Sequence, residues 1–295
     1  MIITVLIPYF ILISLFLGAA IGTVSTYSVV RKWSLLGDIM SHAALPGIVY
    51  MFLFIKTGNI PLLLLGGACS SLMSVLLSFY LQKKHIFPKD SAFAVVLSWF
   101  FSIGIIGMTI IQKQSITGQS LINNFIFGNI IMCSNRYIIY YIPLFLVIIC
   151  TFFFSYKIQQ IIGFDHIYAE FSYSFIKFWE IVYLLLSICT IVIGLQAIGI
   201  LLMGALIIAP GTAARLLTDS YRTMMIYSII ITIASFSCGI GITIVLPTIP
   251  TGPVIALIPI IFCLFIGFAW LCRNIFKGLL WVCHAFTHGK STISE

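Results

Sequence analysis

The chain has 295 residues, 61% of them hydrophobic and only 7% charged, with a net charge of +8. That balance excludes an ordinary soluble domain, in which about 25% of residues are charged, and marks a polytopic membrane protein. The positive charge then belongs to loops at one membrane face and not to a nucleic-acid surface.

A hydrocarbon core of roughly 30 Å takes about 20 apolar residues per helical span. The N-terminal MIITVLIPYFILISLFLG has no basic stretch ahead of its apolar run and no small-residue cleavage site, so residues 3–28 read as a retained first span. Further spans are expected at 35–55, 60–81, 92–112, 137–156, 179–197, 198–216, 224–246 and 253–272. Residues 112–136 are too polar at their start to cross and are expected at the outer surface with a short helix. Residues 157–178 form the longest joint on the other side. They hold Asp165, His166 and Glu170 among aromatic residues, either as a short amphipathic helix facing a cytoplasmic partner or as a plain solvated loop. The sixth and seventh spans meet tightly at GLQAIG, and Pro210 and Gly211 interrupt the seventh. This predicts an all-α chain of nine crossings with one broken helix near Pro210, or eight if that segment only half inserts. Residues 1–272 form one transmembrane domain, and 273–295 a cytoplasmic tail with an interfacial helix.

The order of the charges decides between the counts. With the N-terminus outside and nine crossings, 12 of the 15 basic residues fall inside, leaving Lys56, Lys113 and Arg136 outside. Eight crossings would move five basic residues to the wrong face, so the positive-inside rule favours nine, with the C-terminus in the cytoplasm.

Two features carry no chemistry. The eight cysteines form no C-x-x-C pair and read as packed free thiols. GKST at 289–292 resembles the end of a phosphate-binding loop, but position 284 is His284 where that motif needs glycine, and no strand precedes it. Any use of ATP must therefore come from another chain.

The chemistry concentrates in SLLGDIMSHAALPG, residues 34–47. Of seven acidic residues only Asp38 lies well inside a span, and of five histidines only His42 does. A carboxylate at the bilayer centre costs about 2.5–3.5 kcal/mol on insertion scales, so something must offset it. Residues i and i+4 share a helix face, which lets Asp38 and His42 reach one cation. Pro46 frees the His42 carbonyl as a further oxygen ligand. A hydrogen bond that locks helix packing and a proton relay are the alternatives at this point. Carboxylate with imidazole suits Mn²⁺, Fe²⁺ or Zn²⁺. One such pair cannot fill a coordination shell, so water, other residues or a second copy across a two-fold axis must complete it. In GILLMGALIIAPGTAARLL, residues 199–217, small residues permit close helix contact. The Pro210 interruption suits either a kinked packing contact or a gate.

These stretches resemble the membrane permease subunit of bacterial ABC importers for manganese, zinc and iron. LLGDIMSHAALPG, FIFGNII, GILLMGALIIAPGTAARLL and TIPTGPVIAL occur in the family's order, and the likeness runs over roughly residues 10–272. The resemblance implies a multi-pass protein of the bacterial inner membrane that is a transport subunit and not an enzyme. It implies a homodimer, or a pairing with a paralogous permease, on cytoplasmic ATP-binding subunits fed by an extracytoplasmic metal-binding protein. It implies Asp38 and His42 as the ligands of the passing metal, with no permanently bound cofactor. FDHIYAEFSYS resembles the family's ATPase-docking stretch, which assigns docking to Phe164, Asp165, Ala169 and Glu170. Glu170 and Tyr173 depart from the family's usual basic residue and glycine there. Leu45–Pro46–Gly47 and SITGQS are closer to the manganese and iron members, which favours manganese.

Overall fold

Lipid offers no water to backbone N–H and C=O groups, so each crossing must satisfy its own hydrogen bonds, as a helix does. The structure, a computed structural model, describes residues 2–56, 58–113, 124–128, 135–173, 175–246 and 250–288, and among these it holds helices and no strand. The helices are α1 (Ile2–Val30), α2 (Ser34–Ile55), α3 (Ile60–Lys83), α4 (Lys89–Lys113), the single turn α5 (124–127), α6 (Asn135–Phe154), α7 (Tyr156–Phe164), α8 (His166–Ser172), α9 (Ile176–Ile198), α10 (Ile200–Leu217), α11 (Tyr221–Val245) and α12 (Thr251–His288). Among the described residues eight helices are long and apolar enough to cross a membrane, and the bent pair α6–α7 makes a ninth if it counts as one crossing.

Local chemistry sets several helix ends. Lys56 turns left-handed after α2 and returns its N–H to the Phe52 carbonyl at 2.8 Å. Pro61 sits in the first turn of α3, where a missing N–H removes no helical bond. The Asp165 carboxylate accepts the Tyr168 N–H at 2.9 Å and so starts α8.

The expected span 137–156 is not straight. It bends by 64° at Ser155 into α7. No proline or glycine marks the place. The bend is held instead by buried Gln159, whose Nε2 donates to the Phe152 carbonyl at 2.8 Å and whose Oε1 accepts Tyr221 Oη at 2.6 Å. The longest joint on that side is thus not a loop but two helices, α7 and α8.

The broken helix expected near Pro210 is corrected: α10 runs through Pro210 without interruption, and the chain breaks at Gly199 instead. The physical reason is that the groups around the proline find other partners. Gly211 donates its N–H to Ser25 Oγ on α1 at 2.8 Å. The Thr212 hydroxyl reaches the carbonyls of Ile208 and Ala209 at 3.1 and 2.9 Å. The last helix also passes residue 272 without a break. At 38 residues it is about 57 Å long, against roughly 30 Å of hydrocarbon.

Association of helices in lipid rests on close packing and polar contacts, since lipid tails are as apolar as leucine. Accordingly, α1 and α11 meet at Gly22, whose carbonyl accepts Ser228 Oγ at 2.8 Å. Helix α3 bonds to α2 through Ser70 and Ser71, each 2.6 Å from an α2 carbonyl. The spans of α1 and α9 are 72% buried and that of α12 only 17%, so the core lies around α1, α2, α9 and α10.

Interhelix contacts sort the joints into two ends. Lys89 Nζ reaches the Lys32 carbonyl at 3.5 Å, Arg31 contacts both Ile162 and Glu180, and Arg215 lies over the Phe164 ring and Arg222 over Tyr156. The joints α1–α2, α3–α4, α7–α8–α9 and α10–α11 therefore share one end, here the basic end. At the other, the glycine end, Gly128, Gly199 and Gly252 bring residues 124–128, the α9–α10 joint and the start of α12 backbone to backbone. Gly128 and Gly199 have φ of +73° and +95°. SITGQS, Gly289–Thr292 and the side chain of Arg136 lie outside the described residues. The described cysteines, Cys69, Cys150, Cys189, Cys238, Cys263 and Cys272, are free thiols.

Candidate functional site

Helix α2 is packed by α3 on one side, and by α4 and α10 on others. Between Leu36 and Pro46 every residue is buried except Asp38 and His42, which are partly buried. The i, i+4 spacing puts them on one stripe that the chain's own helices cover only in part.

The two side chains lean on different neighbours. Asp38 lies against Gly204 of α10, and a methyl group at Gly204 would overlap its carboxylate. His42 meets the Phe101 ring of α4 edge-on, with centroids 5.1 Å apart. Its Nδ1 is buried and has no hydrogen-bond partner. No ion pair within 4.0 Å or hydrogen bond joins Asp38 to His42, and neither side chain has another such partner among the described residues. The locking hydrogen bond considered as an alternative for this pair is thus not what holds them. An acid and an imidazole left without partners at membrane depth are both costly and chemically available. No cluster of three or more His, Cys, Asp or Glu side chains that could hold a metal ion exists among the described residues, so one copy of the chain forms no metal cage here.

Gly204 was legible in the sequence only as one small residue among several. What it does for Asp38 depends on the register of α10 against α2. Pro210 and Gly211 lie six and seven residues further along α10, about 9 and 10.5 Å away. There Gly211 has no room for a side chain beside Ser25.

The stretch matched to ATPase docking lies at the basic end, away from this stripe. Phe164 is exposed and sits 5.9 Å from the Arg215 guanidinium carbon. Asp165 is exposed and caps α8. Glu170 is exposed and pairs with Lys177 at 2.8 Å, and the hydrogen bond from that lysine holds its carboxyl below the usual range. Ala169 differs from these: it is fully buried and seats α8 on the body. Around Phe164 the exposed surface is apolar, with Ile167, Tyr168, Phe171 and Phe175 all turned outward and Phe171 89% exposed. Sequence reading singled out one aromatic of this patch, because only the fold shows which aromatics turn out.

Comparison with known proteins gives concordant results. The model of the ABC 3 transport family matches residues 5–270. The chain is 34% identical over 246 residues to the manganese transport system membrane protein MntC of Bacillus subtilis, a match covering 83% of this chain and 56% of that protein. It is 32% identical over 245 residues to the zinc transport system membrane protein TroC of Treponema pallidum, covering 83% of this chain and 82% of that one. Among solved structures, PsaBC from Streptococcus pneumoniae in complex with Fab has a similar fold, with a TM-score of 0.76 at 22% identity over 87% of this chain and 89% of that chain.

Proposed function

Because the chain belongs to the ABC 3 transport family, we propose that it is the membrane permease of an ATP-driven importer of divalent transition-metal ions, with manganese favoured over zinc or iron. It is a multi-pass protein of the bacterial inner membrane and a transport subunit, and ATP is hydrolysed by separate cytoplasmic chains. The observation that carries this reading is the partly covered stripe of α2, on which Asp38 and His42 present an acid and an imidazole without hydrogen-bond or ion-pair partners among the described residues. A passing cation compensates the carboxylate, and carboxylate with imidazole suits Mn²⁺, Fe²⁺ and Zn²⁺ alike. Two donors are too few for a shell, so a second copy of the chain, or a paralogous permease, brings its own pair to a shared axis.

Orientation follows from charge. Lysine and arginine gather at the basic end, which the positive-inside rule assigns to the cytoplasm. An extracytoplasmic metal-binding protein then delivers the ion at the glycine end. The exposed aromatic patch beside Phe164, Asp165 and Glu170 receives the ATP-binding subunits, since apolar patches of this kind mark interaction sites. Ala169 supports that surface from beneath. Rearrangement of α10 against α2, at Gly204 and around Pro210–Gly211, gates the path.

The manganese preference rests on sequence likeness alone, because relatives named for manganese and for zinc stand at 34% and 32% identity. Elemental analysis of cells starved of each metal in turn, wild type against Asp38→Ala, tests site and metal together. Loss of manganese alone supports the reading. Loss of zinc alone overturns the metal assignment, and unchanged metal content overturns the route. A proton-coupled carrier, the alternative, would move metal in liposomes that contain this chain and no ATPase.

A further inference from the structure

Three elements meet at one oxygen of Glu180, at the start of α9. Arg31 Nη2, from the α1–α2 corner, donates to Glu180 Oε1 at 2.7 Å. His166 Nε2, from the first residue of α8, lies 2.9 Å from the same oxygen. The other arm of the guanidinium, Nη1, donates to the Ile162 carbonyl of α7 at 3.1 Å. Gly163 beside it packs against the Val30 side chain, which would have to shift to admit a methyl group there. The guanidinium also lies over the Trp33 ring, 4.5 Å from its centroid. Trp33 is the residue from which α2 starts, and Asp38 follows five residues later.

Stability alone does not account for this cluster. The Arg31 and Glu180 side chains keep only 11% and 21% of their exposure, and a desolvated ion pair is commonly no more stable than well-packed apolar residues in its place. Arg31 Nε is in addition buried without a partner, which costs free energy. What the cluster does supply is a direct physical link between the α7–α8 arm and the first turn of α2.

We propose that Glu180 is a positioning residue which ties the α7–α8 arm, through His166, to the metal-bearing helix, through Arg31, so that movement of the arm during the ATPase cycle reaches Asp38. This rests on the importer reading above and names the side chains that would transmit the stroke. Arm and helix move together while the carboxylate bridges them, and without it ATP is hydrolysed while α2 stays behind.

The test uses the complete transporter, with its ATP-binding subunits and binding protein, in proteoliposomes. Phosphate release and ⁵⁴Mn²⁺ uptake are read on the same sample. Wild type is read first: hydrolysis without any uptake of manganese, zinc or iron would overturn the importer reading itself. With wild type active, Glu180→Gln is expected to lower metal moved per ATP by about tenfold, with hydrolysis within about twofold of wild type, and Glu180→Asp is expected to restore part of the ratio. Arg31→Gln and His166→Gln are each expected to lower the ratio, with little further loss when combined with Glu180→Gln, as for residues acting through one contact. Hydrolysis and uptake falling in equal proportion, or additive losses in the double variants, would overturn the proposal. If Glu180→Gln does not assemble, Glu180→Asp and Arg31→Lys keep both charges and are read for the same ratio. An unchanged ratio in both would equally overturn it.

Discussion

The two ends of the bundle are held by different physics. At the glycine end three segments touch backbone to backbone, and any side chain at Gly128, Gly199 or Gly252 would meet a neighbouring carbonyl or amide. At the basic end the joints are held by side chains: Arg31 on Glu180, His166 on the same oxygen, Arg215 over Phe164. Backbone contact leaves no slack and has one arrangement. Side-chain contacts have more than one arrangement: the exposed cation–π contacts can break and re-form at modest cost, while the largely buried Arg31–Glu180 pair keeps its partners together as they move. The importer proposed above would receive its work at one face and gain from this asymmetry, with a stiff end against which a rearrangeable end can act.

The largest effect should come from breaking the stiff end. Gly199→Ala forces a left-handed backbone onto an L side chain and drives its methyl into residues 126–128. It should cost about 3 kcal/mol or more, read as loss of monodisperse protein and of the thermal transition in detergent. At the basic end Glu180→Ala strands a partly buried arginine. It should cost about 1–2 kcal/mol, less than for a fully buried pair because the carboxylate keeps about a fifth of its exposure. If the melting shift from Glu180→Ala equals that from Gly199→Ala, the two ends do not differ as argued.

Between the ends, Gly204→Ala should separate function from stability. The new methyl displaces the Asp38 carboxylate, whose side chain can rotate away. Replacing glycine within a helix gains about 0.5–1 kcal/mol, which offsets the displacement. Melting should therefore hardly move while metal uptake falls about tenfold or more. Unchanged uptake would show that the carboxylate position against α10 is immaterial. The smallest effect belongs to Glu170→Gln, which removes an exposed pair with Lys177. Its melting curve should overlay that of wild type, because such surface pairs contribute little.

Much of this was legible along the chain. Apolar runs of about 20 residues located the crossings, since lipid leaves the backbone few options. The tight joint at GLQAIG was read correctly as a break between two helices. Pro210 predicts a break that α10 does not show, because the sequence carries the missing donor and not the Ser25 hydroxyl that receives the next N–H. The bend at Ser155 was invisible for the converse reason: the residues that hold it, Gln159 and Tyr221, are 62 positions apart.

By itself the sequence determined that the chain lives in a membrane as helices, and that Asp38 and His42 lie on one helix face. Both follow from local rules: backbone hydrogen bonding in hydrocarbon, and 3.6 residues per turn. Only the tertiary structure decided that this face stays partly open, that Gly204 makes room for the carboxylate, and that Arg31 meets Glu180 across 149 positions of chain. Those outcomes depend on the register of one helix against another, which is set by the packing of many small side chains together and by no single stretch of residues.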